Sequence, residues 1–235
     1  MNRSSGRASP PPLRAVFFDH DGTLVDSEPI HLTLWNTVLE KHQVRLSERR
    51  YKTHYAGMPV RANAEHIAAQ FGLAVDPLAL MAEKNAITLD YLACNAFPLM
   101  PGVREAIGEF SALGLTLAVV TATSADRVQA TLRAHVLTPF FSLAVSSDDV
   151  AKGKPAPDCY RFALDRLGLR AGECIAIEDT EHGLQAALGA GIECIAVPTE
   201  MSRQHDFSQA AKVADNLTDA AAHVRSVFLH RKNGT

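Results

Sequence analysis

Five short and almost continuously apolar runs recur along the chain, and they constrain its fold more than any other feature. Each run is too short for a helix, and apolarity without alternation is typical of strands covered on both faces, as in a parallel sheet. The runs are residues 13–18, 115–120, 143–145, 174–177 and 194–197.

Apolar residues at helical spacing fill the segments between the later runs. These stripes are Val128, Leu132 and Val136; Tyr160, Leu164 and Leu167; and the segment 181–190. The alternation of strand and helix from about residue 100 onward predicts an α/β fold with a doubly wound, Rossmann-like parallel sheet.

Residues 26–98 differ, because no strand-like run occurs among them. Ser27 is expected to cap a helix that begins with Glu28 and Pro29. That helix carries an apolar stripe, and further helices are expected over 61–71 and 77–93.

The sequence therefore predicts an all-helical cap domain, residues 26–98, inserted into the α/β core. The core comprises residues 13–25 and 99–235. The polar, proline-rich residues 1–12 are expected to be a disordered tail without a secretory signal.

Composition excludes several partners. Apolar residues make up 47% of the chain, enough for a real core, and a net charge of −3 gives no basic field for nucleic acid. No apolar run approaches the roughly 20 residues of a membrane helix. The four cysteines form no CxxC pair, which favours free thiols in a reducing cytoplasm. We expect a cytoplasmic monomer or weak dimer.

Two acids, Asp19 and Asp21, follow the first apolar run directly. Ligands gather at the carboxyl ends of strands in an open parallel sheet, and a divalent cation such as Mg²⁺ would offset the repulsion between the acids. The alternative is a surface turn, since Asp, Gly and Thr are turn-forming residues.

A second acidic pair, Glu178 and Asp179, follows another apolar run. Alone, the pair is equally consistent with acids favoured at a helix N-terminus. Two acidic strand ends in one sheet are harder to explain as separate caps, and they are able to converge on one cation.

Two further elements suit a phosphate. The hydroxyl of Thr121 and the amides of Ala122 and Thr123 follow a strand and precede a helix. Lys154, on a loop stiffened by prolines, would neutralise charge on a phosphoryl group. Each signal is weak alone: Ser and Thr cap helices, and loop lysines are usually solvated. A nucleotide-type P-loop is excluded, because Pro155 occupies its Ser/Thr position.

In this order, strand-DxDGT, strand-Thr, GKPAPD and strand-ED, the sequence resembles the haloacid dehalogenase superfamily. The resemblance is to the branch that includes β-phosphoglucomutase and small-molecule phosphatases, and it covers about residues 13–200. The helical insertion after the first motif matches the cap that this branch carries.

The resemblance implies chemistry for each motif. Asp19 would be the nucleophile that forms an aspartyl-phosphate, and Asp21 would be general acid and then base. Mg²⁺ would be held by the Asp19 carboxylate, the Asp21 backbone carbonyl and Asp179, with Glu178 nearby or directly ligating.

Thr121 and Lys154 would hold the phosphoryl oxygens and stabilise the transition state. The sequence departs from the family at His20, where an apolar residue is usual. Strand alternation predicts that the His20 side chain points away from both acids, which favours a packing or tuning role over catalysis.

In the cap, His31 resembles a histidine that the mutase branch places over the active site. Arg61, matched with a one-residue offset, and Lys84 with Asn85 fall near positions that bind the second charged or polar group of a sugar phosphate. The alternative for each is a solvated helix residue. Trp35 is expected to be a core residue.

The expected function is Mg²⁺-dependent hydrolysis of a small phosphorylated metabolite of the sugar phosphate class. The alternative is a β-phosphoglucomutase-like mutase, in which the sugar takes the phosphoryl group back and the lid excludes water. A third possibility, a catalytically dead binding module, is disfavoured because all four motifs are intact.

Overall fold

The computed structural model describes residues 10–233, and its centre is one parallel sheet. The strands are β1 (Ala15–Phe18), β2 (Thr116–Val120), β3 (Phe141–Val145), β4 (Cys174–Glu178), β5 (Glu193–Ala196) and β6 (Lys212–Val213). Their order is β3-β2-β1-β4-β5-β6, and every neighbouring pair is parallel. The predicted doubly wound α/β fold is confirmed. The five predicted strands are present, and the two-residue β6 was not predicted.

Helices cover both faces of this sheet and form the cap. They are α1 (Glu28–Glu40), α2 (Glu48–His54), α3 (Val60–Gln70), α4 (Pro77–Cys94), α5 (Val103–Ala112), α6 (Ala125–Ala134), α7 (Asp158–Leu167), α8 (Glu181–Gly189) and α9 (Leu217–Asn233). Three single-turn 3-10 helices lie in loops of the core. Helix α2 is absent from the sequence prediction.

The strands are apolar throughout because each face of the sheet is covered. Every residue of β1 is buried. Phe18 belongs to the cluster on one face and Phe17 to the cluster on the other. Burying each such side chain contributes about 1.5–3 kcal/mol.

Helices α1–α4 bury an apolar cluster of their own, centred on Trp35, Tyr51 and Ile67. This confirms an inserted all-helical cap and the expectation that Trp35 lies in a core. The two segments of the chain that join the cap to the sheet run side by side, since Val25 pairs with Leu99. We propose that residues 26–98 form the cap and that residues 13–25 with 99–235 form the core.

Two local predictions are wrong. Helix α1 begins at Glu28 after Ser27 as predicted, but the Ser27 hydroxyl does not cap it, because the hydroxyl donates to Asp21 instead. Val136 does not continue the buried stripe of Val128 and Leu132, because α6 ends at Ala134 and Val136 is exposed with a left-handed φ of 57°.

Residues 1–9 of the predicted disordered tail lie outside the described residues, and Pro10–Pro12 have no regular secondary structure. All four cysteines are free, and three of them are buried. Among residues 10–233, no helix combines the length and the apolarity needed to cross a membrane.

Candidate active site

The sheet order brings the predicted motifs to one place. Strand β1 lies between β2 and β4, so Asp19, Thr121 and Asp179 follow three adjacent strands at their carboxyl ends. The loop between β3 and α7 delivers Lys154 to the same edge. These four residues line one cleft of about 590 Å³ between the sheet and the cap.

Lys154 connects the two acidic strand ends. Its Nζ donates to Asp19 Oδ1 at 2.5 Å, to Glu178 Oε1 at 2.6 Å and to the Val120 carbonyl at 2.8 Å. Burial alone would lower the pKa of Lys154, but the carboxylates of Asp19 and Glu178 outweigh it and raise that pKa. Lys154 is therefore a fixed cation beside Asp19.

Three buried carboxylates, Asp19, Glu178 and Asp179, surround this single ammonium group, with oxygen atoms within 4.8 Å of one another. Burial, together with the charges of Asp19 and Glu178, raises the pKa of Asp179 well above its usual range. Asp179 Oδ1 is buried without a partner. A hard divalent cation with oxygen ligands fits this excess of buried negative charge.

Gly22 lets Asp179 approach the first acidic loop. A Cβ at this position would lie 2.1 Å from Asp179 Oδ2, and the φ of Gly22 is +82°. Only glycine meets both conditions without strain.

Glu178 has a different environment from Asp179. Tyr160 and Lys154 both donate to its Oε1. Its Oε2 lies against α8 at Gly183, where a Cβ would approach to 1.8 Å. Burial and the charge of Asp19 raise the pKa of Glu178, and Lys154 opposes this. Through its hydrogen bond with Lys154, Glu178 helps to position that ammonium group.

Asp21 accepts a 2.5 Å hydrogen bond from Ser27 Oγ. Burial disfavours its charged form, but the close approach of His20 and the charge of Arg127 outweigh burial and hold the pKa of Asp21 well below its usual range. Asp21 is thus ionised in this arrangement.

The prediction that His20 points away from both acids is wrong. Its Nδ1 lies 3.2 Å from Asp21 Oδ2, a close contact without the alignment of a good hydrogen bond. Its Nε2 lies 3.0 Å from Thr131 Oγ1 on α6. Alternation fails because β1 ends at Phe18 and the backbone has already turned at His20.

The loop after β2, predicted to bind phosphate, differs in detail from the prediction. The amide of Thr123 donates to Thr121 Oγ1 at 3.1 Å, so it is occupied. Ala122 is exposed in the cleft, and the buried hydroxyl of Thr123 has no partner. In this structure Thr121 and the Ala122 amide are the better placed groups.

The cap contributes His31 and Lys84, which both lie in the cleft. Lys84 Nζ lies 3.3 Å from His31 Nδ1 and 2.9 Å from Thr88 Oγ1. Burial and the charge of Arg127 lower the pKa of Lys84 to about 7. Burial and the charges of Lys84 and Arg127 also hold the pKa of His31 well below its usual value.

Arg127 is one cleft residue that sequence reasoning missed. It projects from the first turn of α6, and its Nη2 lies 2.5 Å from His31 Nε2. Nothing in the sequence marks it except its place shortly after the strand-Thr motif.

The other predicted cap residues lie at the mouth of the cleft. Arg61 is exposed and pairs with Glu65 one turn along α3. Asn85 is also exposed. Both side chains line the cleft, so a substrate is able to reach them.

Glu28 is a second unpredicted member of the site. It accepts hydrogen bonds from Tyr51 Oη at 2.6 Å and from the Gly57 amide at 2.8 Å. Burial raises its pKa, and those two donors oppose the rise. Glu28 thereby fixes the cap loop that covers the cleft.

Comparison with known proteins gives a consistent family. The profile of haloacid dehalogenase-like hydrolases matches residues 16–197. The chain is 34% identical to the plasmid-encoded CbbY protein of Cupriavidus necator, over 89% of this chain and 87% of that protein. It is 29% identical to the fructose-1-phosphate phosphatase YqaB of Escherichia coli, over 77% and 95%.

A solved structure shares the architecture. It is a CbbY variant from Rhodobacter sphaeroides in complex with xylulose 1,5-bisphosphate, with a TM-score of 0.76 and 28% identity. The match covers 88% of this chain and 96% of that one.

Proposed function

The chain belongs to the haloacid dehalogenase-like hydrolases and is a phosphatase, and we propose that it hydrolyses a small sugar phosphate through an aspartyl-phosphate on Asp19. One observation carries the proposal. The Asp19 carboxylate stands at the end of the central strand, held by Lys154 and facing the cleft under the cap.

In the first half-reaction, the free oxygen of Asp19 attacks phosphorus and the bond from phosphorus to the sugar oxygen breaks. Lys154 is bound to Asp19 Oδ1, which leaves Oδ2 for the attack. Lys154 and the Thr121 hydroxyl would then offset charge on the phosphoryl oxygens in the transition state.

Asp21 acts as the proton donor in the first half-reaction and as the proton acceptor in the second. The negative phosphoryl group raises the pKa of Asp21 when substrate binds, so that Asp21 takes up a proton from solvent and then gives it to the leaving sugar oxygen as the bond to phosphorus breaks. It then takes a proton from the water that attacks the acyl-phosphate. Inorganic phosphate leaves and Asp19 is restored.

The carboxylates fit Mg²⁺, with Asp19, Asp179 and the Asp21 carbonyl as the residues that would hold it and Glu178 close by. The unpartnered Asp179 oxygen and the excess of buried acids support this assignment. The ion would neutralise the acids and polarise the phosphoryl group.

The cap would select the substrate. His31, Lys84, Arg61 and Asn85 line the cleft above the core motifs. The named phosphatase and sugar bisphosphate ligand among the relatives support a phosphorylated sugar as the substrate class. Free thiols at all four cysteines support a cytoplasmic location.

The test is release of inorganic phosphate from p-nitrophenyl phosphate and a panel of sugar phosphates, with and without Mg²⁺. We expect Mg²⁺-dependent turnover that is lost in Asp19→Asn and kept in Asp90→Asn, a matched change at an exposed position of α4. Turnover that persists in Asp19→Asn would refute the assignment of Asp19 as the nucleophile.

The mutase alternative is decided in the same panel. If β-glucose 1-phosphate is converted to the 6-phosphate with little release of free phosphate, the enzyme is a mutase that returns the phosphoryl group to the sugar, and not a phosphatase.

A further inference from the structure

His20 is a fully buried polar side chain that lies beside Asp21. The exposed fraction is 0% for His20 and 0% for Thr131, its neighbour on α6. The His20 Nε2 lies 3.0 Å from Thr131 Oγ1, and its Nδ1 lies 3.2 Å from Asp21 Oδ2. Within residues 10–233, Nδ1 has no other polar partner. A buried ring nitrogen without a good partner costs free energy, so packing alone does not account for a histidine at this position.

The two contacts assign the protons on the His20 ring. A carboxylate oxygen accepts and does not donate, so the nitrogen that faces Asp21 is the one that carries a proton. In a neutral imidazole the other nitrogen is then the acceptor, and the Thr131 hydroxyl donates to it. A doubly protonated ring also presents Nδ1–H to Asp21, so the assignment does not depend on the charge of His20.

Asp21 is thereby approached at both of its carboxylate oxygens. Ser27 Oγ donates to Oδ1 at 2.5 Å, and His20 Nδ1 faces Oδ2. Oδ1 is the oxygen on the cap side, 3.9 Å from His31 Nε2. The His20 contact is poorly aligned, but hydrogen bonds of this kind often tighten only in the substrate complex. Orientation matters here, because misplacing a reacting group by about 1 Å costs roughly 100-fold in rate.

We infer that His20 is a positioning residue for Asp21: anchored by Thr131 of α6, its Nδ1–H group holds Asp21 Oδ2 and so aims the carboxylate at the leaving sugar oxygen. The inference rests on the proposed function, because Asp21 has its proton-transfer role there. It also gives a reason for a polar residue where the resemblance leads us to expect an apolar one.

The test uses the basicity of the leaving group to separate proton transfer from a general loss of structure. p-Nitrophenolate is weakly basic and departs without a proton, whereas the alkoxide of a sugar has to be protonated as it leaves. We therefore compare p-nitrophenyl phosphate with the sugar phosphate that has the highest kcat/KM in the panel. The value of kcat/KM covers the steps up to departure of the leaving group, so the later role of Asp21 as a base does not enter it.

His20→Leu should lower kcat/KM for the sugar phosphate by about 10-fold to 100-fold and change that for p-nitrophenyl phosphate by less than about 3-fold. His20→Asn should stay within about 3-fold of the wild type on both substrates, because its amide nitrogen takes the place of Nδ1. His20→Gln puts its amide nitrogen in the place of Nε2 and should behave like His20→Leu. The matched control is His223→Leu, at a half-buried position of α9, which should leave both values unchanged.

Thr131→Val removes the anchor without touching Asp21. It should cause a smaller loss than His20→Leu, again confined to the sugar phosphate. Because Thr131 is taken to act through His20, adding Thr131→Val to His20→Leu should cause no further loss. Losses that add in the double variant would refute the anchoring role.

The failures are distinguishable. If the wild type hydrolyses no sugar phosphate, the proposed function fails and the inference fails with it. If it does, but His20→Leu lowers both kcat/KM values by the same factor or changes neither, the positioning role is refuted and the phosphatase function stands. Equal values for His20→Asn and His20→Gln on the sugar phosphate would refute it as well. Thermal unfolding of each variant checks that it is folded, and the Asn and Gln pair decides the question if His20→Leu is not.

Discussion

Replacing Lys154 by methionine is the most informative single perturbation, because this side chain holds both acidic strand ends. The ammonium group makes three hydrogen bonds, to Asp19, Val120 and Glu178. Methionine keeps most of the apolar stem and removes the charge. The side chain of Glu178 is fully buried and would be left with Tyr160 as its donor.

The magnitude follows from these contacts. Removing one partner of a buried ion pair costs about 3–5 kcal/mol. A chain of this size loses about 2–4 °C in Tm for each kcal/mol, so Lys154→Met should lower the Tm of the metal-free protein by roughly 6–20 °C. Loss of a charge contact to the transition state should lower kcat/KM by about 100-fold to 1,000-fold.

The loss should also depend on pH. Without Lys154, the pKa of Glu178 rises further above its ordinary value, because Tyr160 alone then opposes burial and the charge of Asp19. A raised acid pKa leaves stability intact below the ordinary pKa and removes it as the pH rises through the folded value. Because the pKa of Glu178 is already raised to about 7 in the wild type, the stability deficit of the variant should grow as the pH rises above about 7.

The assays are thermal unfolding across pH and hydrolysis of p-nitrophenyl phosphate with Mg²⁺. Lys152→Met is the matched control, because Lys152 is exposed in the same loop. If the two variants have the same Tm and the same kcat/KM, then Lys154 neither stabilises the acids nor takes part in turnover.

Three further changes have definite expected results. Folding lowers the pKa of Lys84 from 10.5 to about 7, so Lys84→Met should stabilise the protein most below about pH 7. The gain in stability should fade toward pH 10.5, and thermal unfolding across pH measures it. Gly22→Ala should cost at least about 1–3 kcal/mol and abolish Mg²⁺-dependent turnover, since its Cβ would meet Asp179; a normal Tm and rate would contradict this. Ser27→Ala should lower kcat/KM about 10-fold by removing a hydrogen bond to an acid, whereas Ser47→Ala should cost about 1 kcal/mol of stability through its lost helix cap and leave turnover unchanged.

The central residues of the site could be predicted from the sequence because each directly follows an apolar strand, which is a local pattern. An apolar run followed by acids predicts a buried strand with a polar end, and parallel strands bring their carboxyl ends to one edge. No knowledge of side-chain packing was needed to group Asp19, Thr121 and Asp179. The strand order, which makes β1 the neighbour of both β2 and β4, then brings them together.

The cap is less predictable because its charges are buried by tertiary packing. Lys84 and Thr88 stand on the buried stripe of α4 between Leu80 and Leu92, each four residues apart. Two polar residues on an apolar stripe are the available signal that Lys84 is enclosed. Arg127 carries no such signal, since only the meeting of α6 with the cap gives it a partner.

His20 shows where a local rule ends and how the core is coupled to the cap. Alternation applies within a strand, and His20 lies beyond β1, where its carbonyl accepts from the amides of Leu24 and Val25 in the turn. Its ring thus reaches both Asp21 and Thr131 of α6. One turn earlier, α6 carries Arg127 into contact with the cap. A shift of this helix would therefore move His20, which lies against Asp21, and Arg127, which lies against the cap, together. Neither contact could be placed from its own segment of sequence, because each depends on the position of α6.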